Sequence, residues 1–246
     1  MLTVKRVRKA IGKRASRTQV KLAGAIGASA NRYCPACRQR VVGFFRYGKV
    51  SEWGCPSCGA APRQRLMHAL LDIEKLKVPD GAAVLHCAPN EKQLVERLKG
   101  PAAEYVPADI DPKKYDVPGI QRIDLTMMSD VERFDRIYAS HVMEHIPDDA
   151  LALRNMCRSL KPGGEAWLLV PIWDKPTEDG PADLSPRERE RRYGQWDHVR
   201  QYGLDFADRI EAAGFEVEMI DCASMPAVEV RQMALGDRVF RARRRA

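Results

Sequence analysis

The stretch that most constrains the fold of this 246-residue chain runs from Phe134 to Ile172, FDRIYASHVMEHIPDDALALRNMCRSLKPGGEAWLLVPI. It reads as strand, loop, helix, turn and strand. Arg136 to Val142 mixes β-branched, aromatic and small residues over the length of a buried strand. Pro147 and the Asp148–Asp149 pair then open a helix, with the carboxylates at the positive end of its dipole. Leu151, Leu153, Met156, Cys157 and Leu160 recur at helical spacing, so one stripe faces a core. Lys161-Pro162-Gly163-Gly164 is expected to end that helix: a cation, a proline, then glycines free to take positive φ. Ala166 to Ile172 returns as a nearly all-apolar strand, as a parallel sheet covered on both faces requires. This is one crossover unit of a doubly wound α/β sheet.

The order F-D-x-I, H-V-M-E-H-I, L-K-P-G-G and a strand ending in V-P resembles the central motifs of class I S-adenosylmethionine-dependent methyltransferases, of the type 11-like kind. The resemblance implies a Rossmann-like seven-stranded doubly wound sheet. It also implies S-adenosylmethionine as cofactor.

A second motif lies upstream. Cys34-Pro-Ala-Cys37 and Cys55-Pro-Ser-Cys58 are two C-x-x-C knuckles separated by 17 residues. Each presents two sulfurs, and a hairpin between them (Val41 to Tyr47, a Gly48-Lys49 turn, Val50 to Trp53) closes the site. That spacing points to a structural zinc ion held by Cys34, Cys37, Cys55 and Cys58. Redox dithiols are disfavoured, because neither knuckle opens a helix in a thioredoxin-like context. Four thiolates also leave no coordination position for a catalytic water. Cys87, Cys157 and Cys222 lie in apolar elements and read as buried free thiols, in keeping with a reduced, cytoplasmic compartment.

The chain therefore divides into a basic, partly disordered segment (1–31), a zinc ribbon (32–61), a linking helix (62–80) and a methyltransferase domain (81–246). Leu66, Leu70 and Ile73 give the linking helix its stripe. Charge follows the same partition. Residues 1–51 hold 13 Lys and Arg and no acid, residues 52–237 hold 23 bases against 33 acids, and residues 238–246 hold five arginines. An acidic body argues against a broad phosphate-gripping surface. For the basic ends two readings stand: solvated tails, or contact with RNA or an anionic membrane surface. An organelle leader fits less well, because Gly12, Gly24 and Gly27 interrupt a long amphipathic helix and Val4, Val7 and Ile11 support only a short one. No apolar run reaches the roughly 20 residues needed to span a bilayer.

Further candidate residues come from the resemblance. The first strand, Ala82 to Ala88, leads into His86-Cys87-Ala88-Pro89-Asn90 where relatives carry a glycine loop. It looks like a sub-family reading His-x-Ala-Pro-Glu, from which this chain departs at Asn90. Asp109, at the end of the next strand, aligns with the acid that holds the ribose hydroxyls, with Asp111 in reserve and a solvated turn as the plain reading. By resemblance Asp124 would reach the adenine amino group, the Leu125 backbone a ring nitrogen, and Ser140 and His141 the methionine end. After the fifth strand, the polar stretch from Trp173 to Gly194 reads as a lid or linker. Asp197-His198-Val199-Arg200-Gln201-Tyr202 follows, resembling a motif near the transferring methyl. There His198 would take a proton from the acceptor, with Asp197 or Arg200 orienting it; the plain reading is a loop pinned by hydrogen bonds. The leading expectation is methyl transfer to a small molecule or biosynthetic intermediate. An RNA methyltransferase and a non-catalytic scaffold are the alternatives.

Overall fold

The computed structural model describes residues 4–245, with side chains from Arg8 onward. Two compact units result. One takes the chain up to Lys77 and again over Asp221–Arg238; the other takes Val78–Ile220 and the chain from Val239. The linear division expected from sequence has no place for the returning segment.

The smaller unit begins with α1 (Val4–Ala25) and continues with β1 (Arg32–Cys34), β2 (Gln39–Val41), β3 (Phe45–Tyr47), β4 (Val50–Gly54) and α2 (Pro62–Asp72). β1 pairs antiparallel with β2, and β3 with β4. The single strand expected over Val41 to Tyr47 is thus two strands, parted at Val42–Phe44. A 22-residue α1 overturns the expectation of a short helix in a partly disordered segment. Part of the stripe from which that expectation came, Val4 and Val7, lies outside the described side chains, and Ile11 is exposed. The inward stripe is a different one, Lys13, Ser16, Arg17, Val20 and Ala23, and its two cations make the ring contacts. Lys13 Nζ lies 4.5 Å from the Trp53 ring centroid, and the Arg17 guanidinium 5.7 Å from that of Phe45. Arg17 also donates to the Pro56 and Ser57 carbonyls at 2.8 Å, and Ser16 Oγ accepts the Arg46 N–H at 2.9 Å. These contacts offset the roughly 1 kcal/mol that each helical glycine costs. At Gly24 a side chain would meet Val42 at 3.4 Å.

The larger unit is built from β5 (Ala82–Cys87), α3 (Lys92–Lys99), β6 (Ala102–Asp109), β7 (Gln121–Arg122), β8 (Phe134–Ser140), α4 (Asp149–Ser159), β9 (Leu160–Leu169), β10 (Glu178–Asp179), α5 (Pro186–Tyr193), β11 (Arg200–Gln201), α6 (Phe206–Ala212) and β12 (Phe215–Asp221). The chain then returns to the smaller unit through α7 (Ala227–Met233) before β13 (Arg238–Arg244). Seven strands form one sheet in the order β12-β13-β9-β8-β5-β6-β7. The pairs from β7 through to β9 are parallel, whereas β13 runs antiparallel to β9. The expected Rossmann-like sheet is present. Leu85, Ile137, Leu153, Met156, Leu168, Phe206 and Phe240 lie in its core.

Strand order reverses between β5 and β8, so their carboxyl ends flank the crevice where doubly wound sheets bind ligands. α4 is capped as its sequence dictates, Asp148 accepting the Leu151 N–H at 2.8 Å. The helix stops at Ser159, earlier than the Lys-Pro-Gly-Gly run, which lies within β9. Pairing jumps from Phe134↔Leu160 to Arg136↔Glu165, so these residues make a bulge. Gly164 is needed there, since a Cβ would stand 2.9 Å from the Lys161 carbonyl oxygen.

The polar stretch after β9 also differs from a structureless lid. β10 pairs with β11 and α5 fills the excursion, its start secured by a Ser185–Glu188 capping box and Pro186. The arginines near the end are not a solvated tail either. Four of the five lie in an interior strand, with Arg241 paired to Glu218 at 2.7 Å, Arg243 to Glu165 at 2.8 Å and Arg244 to Glu132 at 2.8 Å; Arg245, beyond it, is exposed. No helix among the described residues is long and apolar enough to cross a membrane.

Candidate active site and cysteine cluster

In the smaller unit the two knuckles bring Cys34 Sγ to 3.7 Å from Cys58 Sγ and Cys37 Sγ to 3.8 Å from Cys55 Sγ. A tetrahedron with metal–sulfur bonds of about 2.3 Å has edges of about 3.8 Å, so the donors fit a zinc ion. Hydrogen bonding within the cluster holds Cys55 well below the usual thiol range and pushes Cys34 well above it. Behind the cluster lies Arg65, fully buried and without a carboxylate partner at hydrogen-bond distance. Its guanidinium donates to the carbonyls of Glu52, Trp53, Ala60, Met233 and Ala234, and stacks 3.9 Å from the Phe44 centroid. One side chain therefore ties the hairpin, the second knuckle and the returning segment together. Sequence reasoning missed it, because Arg63-Gln64-Arg65 reads as an ordinary polar helix start.

In the larger unit a cavity of about 440 Å³ opens at the carboxyl ends of β5, β6 and β8. After β5 the chain turns through Ala88, which takes a left-handed φ of 51°. A left-handed φ favours glycine, and here it is reached with a single methyl group as side chain. The Ala88 N–H donates to the Ala108 carbonyl at 2.8 Å, and the Asn90 N–H to the Ala88 carbonyl at 2.8 Å. Asp109 ends β6 with its carboxylate already oriented: Oδ1 accepts the Asp111 N–H at 2.8 Å and Oδ2 the Tyr115 hydroxyl at 2.9 Å. Asp124 Oδ1 accepts the Thr126 N–H at 2.9 Å and its hydroxyl at 2.7 Å.

Of the residues expected at the cofactor, Ala88, Asp109, Asp124, Leu125 and His141 line this cavity; His86, Asn90, Asp111 and Ser140 do not. His86 points into the sheet, where its Nδ1 meets the Tyr105 hydroxyl at 2.7 Å and burial lowers its pKa to about 3. Asp111 turns to Lys114 at 3.7 Å. Ser140 Oγ, at the end of β8, is buried without a hydrogen-bond partner. Two contributors were not expected. Tyr115 lines the cavity and holds Asp109, and Asn155 of α4 donates to the Leu125 and Thr126 carbonyls at 3.0 and 2.9 Å, fixing the loop after β7. Asn155 shares the buried side of α4 with Asp149 and Ser159 as well as apolar residues, so neither it nor Tyr115 stood out in the sequence.

The other end of the cavity is polar: His141, His145, Gln195 and Asp197 face it. His198 does not. It is buried behind His145, with ring centroids 4.8 Å apart, and its Nδ1 lies 3.0 Å from the Tyr193 carbonyl oxygen. Burial lowers its pKa. Arg200 is equally internal, donating to the Ile146 and Pro147 carbonyls and to Asp179 Oδ1 at 2.7 Å. The Tyr202 hydroxyl donates to Asp149 Oδ2 at 2.7 Å. The motif after α5 thus pins the loop between β8 and α4 against its surroundings, and only Asp197 of its residues reaches the cavity.

A family model described as a methyltransferase domain matches residues 56–220, more than half of the chain. The chain belongs to this methyltransferase family. Solved structures of the same fold include a chain from a complex between the Haloferax volcanii Trm112 methyltransferase activator and a methyltransferase, at 14% identity and TM-score 0.52, covering 74% of this chain and 89% of that chain. An S-adenosylmethionine-dependent methyltransferase from Mesorhizobium loti aligns at 16% identity and TM-score 0.50, covering 70% and 95%. The [4+2]-cyclase SpnF aligns at 16% identity and TM-score 0.51 over 96% and 95%. At such identities the likeness is one of fold, and the fold of a methyltransferase also carries a cyclase. No curated protein matches this chain.

Proposed function

We propose that this protein transfers a methyl group from S-adenosylmethionine to a small molecule or biosynthetic intermediate, and that its cysteine cluster holds a structural zinc ion. The observation carrying the first claim is the cavity at the switch point of the sheet, with an oriented carboxylate, Asp109, at one end and imidazoles at the other. In this reading Asp109 accepts the ribose hydroxyls, Asp124 and the Leu125 backbone meet the adenine, and the left-handed Ala88 lets the main chain approach the methionine part. The cofactor supplies an electrophilic sulfonium methyl. The protein aligns a nucleophile with it and excludes water. His141, His145, Gln195 and Asp197 orient the acceptor, while His198 supports His145 from behind. The acidic body favours a small acceptor over RNA. Exposed Arg8, Arg14 and Lys21 of α1 remain the surface that RNA or an anionic membrane would meet. A reduced cytoplasmic setting suits the thiolates.

Titration calorimetry with S-adenosylmethionine tests this directly. One molecule should bind per chain, with S-adenosylhomocysteine competing for the same site. No heat with either compound, from folded protein, would leave the domain as a scaffold with a methyltransferase fold.

A further inference from the structure

Beside the polar end of the cavity lies a carboxylate that the fold leaves without hydrogen bonds. Glu144 is 1% exposed, and neither of its side-chain oxygens accepts one. Imidazoles stand around it instead. His141 Nδ1 is 3.1 Å and His198 Nε2 4.0 Å from Oε1. His145 packs edge-on against His198, and donor atoms of Glu144, His145 and His198 all lie within 4.8 Å of one another. The Tyr193 carbonyl, 3.0 Å from His198 Nδ1, accepts the proton of that nitrogen, so a neutral ring carries its lone pair on Nε2, 4.0 Å from the carboxylate. An acceptor nitrogen facing a buried carboxylate is costly unless a cation stands between them. A carbonyl on the far ring nitrogen is also the usual outer support of a metal-bound histidine.

We infer that Glu144, His145 and His198 bind a divalent transition-metal ion. Two imidazoles and a carboxylate suit zinc, iron, cobalt or manganese. With bonds of about 2.1 Å such donors stand about 3.4 Å apart, so the side chains close on the ion by about an ångström. This set is distinct from the four thiolates of the smaller unit. Because His141 and His145 line the cavity, the ion borders it, and a remaining coordination position faces an acceptor. That position selects an oxygen nucleophile, an alcohol, phenol or catechol, whose proton a cation makes easier to lose. The oxygen–carbon bond forms as the carbon–sulfur bond of the sulfonium breaks, the thioether leaves with the electron pair, and the hydroxyl proton passes to solvent. This last consequence rests on the methyl-transfer reading; the metal site does not.

Full-length protein carrying its ribbon zinc should be titrated with Mn²⁺, followed by calorimetry and electron paramagnetic resonance. One Mn²⁺ per chain is expected, at micromolar affinity. Glu144→Gln and His198→Ala should each weaken it at least tenfold, whereas Cys55→Ser should not. His145→Gln, at a half-buried position, serves as a second variant should the buried ones fail to fold by circular dichroism. Acetohydroxamate, an oxygen chelator, should perturb the Mn²⁺ signal; no perturbation overturns the open position. Absence of Mn²⁺ and Co²⁺ binding at millimolar concentration overturns the site and leaves a proton as the cation. Equal binding by folded variants overturns it too. S-adenosylmethionine calorimetry on the same samples separates the two readings: metal without cofactor refutes methyl transfer alone, and cofactor without metal refutes the metal alone.

Discussion

Asp109 and Asp111 stand two residues apart at the end of β6, and their surroundings distinguish them. Asp109 lines the cavity with both oxygens already oriented by the Asp111 N–H and the Tyr115 hydroxyl. Asp111 turns to Lys114. Two charge-assisted bonds to a ribose would be lost in Asp109→Ala, costing about 2–3 kcal/mol of S-adenosylmethionine affinity, whereas Asp111→Ala should cost under about 1 kcal/mol. Calorimetry on both variants decides; equal losses would show that the two carboxylates share the ribose. His86 makes a prediction of another kind. Burial lowers its pKa to about 3, against about 6.5 in an unfolded chain. The unfolded state therefore takes up a proton that the folded state refuses. Stability is complete above pH 6.5 and declines as pH falls towards 3. Between pH 6.5 and 5, the unfolding free energy from denaturant titration should fall by about 1–2 kcal/mol in wild type and by less in His86→Gln. Parallel acid limbs in the two proteins would refute this.

At the scale of elements, α1 shows how a charged helix is held by aromatic rings. Lys13 and Arg17 use their cations on Trp53 and Phe45, contributing about 0.5–1 kcal/mol apiece at sites of this exposure. Arg65 of α2 is the stronger case. Its five carbonyl partners come from the β4 end, the second knuckle and the C-terminal end of α7. Arg65→Met would strand those acceptors and should destabilise the smaller unit by upwards of about 3 kcal/mol. Arg65→Lys should recover little, because an ammonium cannot reach a planar array of five oxygens. Proteolysis within 221–238 is the readout: unchanged resistance in Arg65→Met would mean that the segment is held by other contacts.

For the whole molecule, the two units keep separate cores, one around the cysteines and one on the sheet. Cys55→Ser, or chelation of the zinc, should therefore loosen the smaller unit and leave the larger one folded. Metal analysis of gently purified protein should return zinc held by the cysteines, and differential scanning calorimetry of the variant should retain the transition of the larger unit. Global unfolding of Cys55→Ser would show that the cores are coupled.

By itself the sequence determined what is written in local order. The crossover from Phe134 to Ile172 carries strand length, helix cap and apolar stripe within forty residues, and the paired knuckles carry a tetrahedral spacing. Ala88, Asp109 and His141 were legible because each closes or follows a strand of a sheet whose order was already implied. The tertiary structure decided what depends on approach between distant segments. Only folding sends 221–238 back to the smaller unit, turns Lys13 and Arg17 onto rings some thirty to forty residues away, and withdraws Asn90 and Asp111 from the cavity. It also put His198 behind His145 with Glu144 between histidines from two loops. Spacing along a strand or helix is set by backbone geometry, which any stretch of chain carries within itself. The side of a loop that a single imidazole faces is set by what packs against it, and that is known only when the chain has closed.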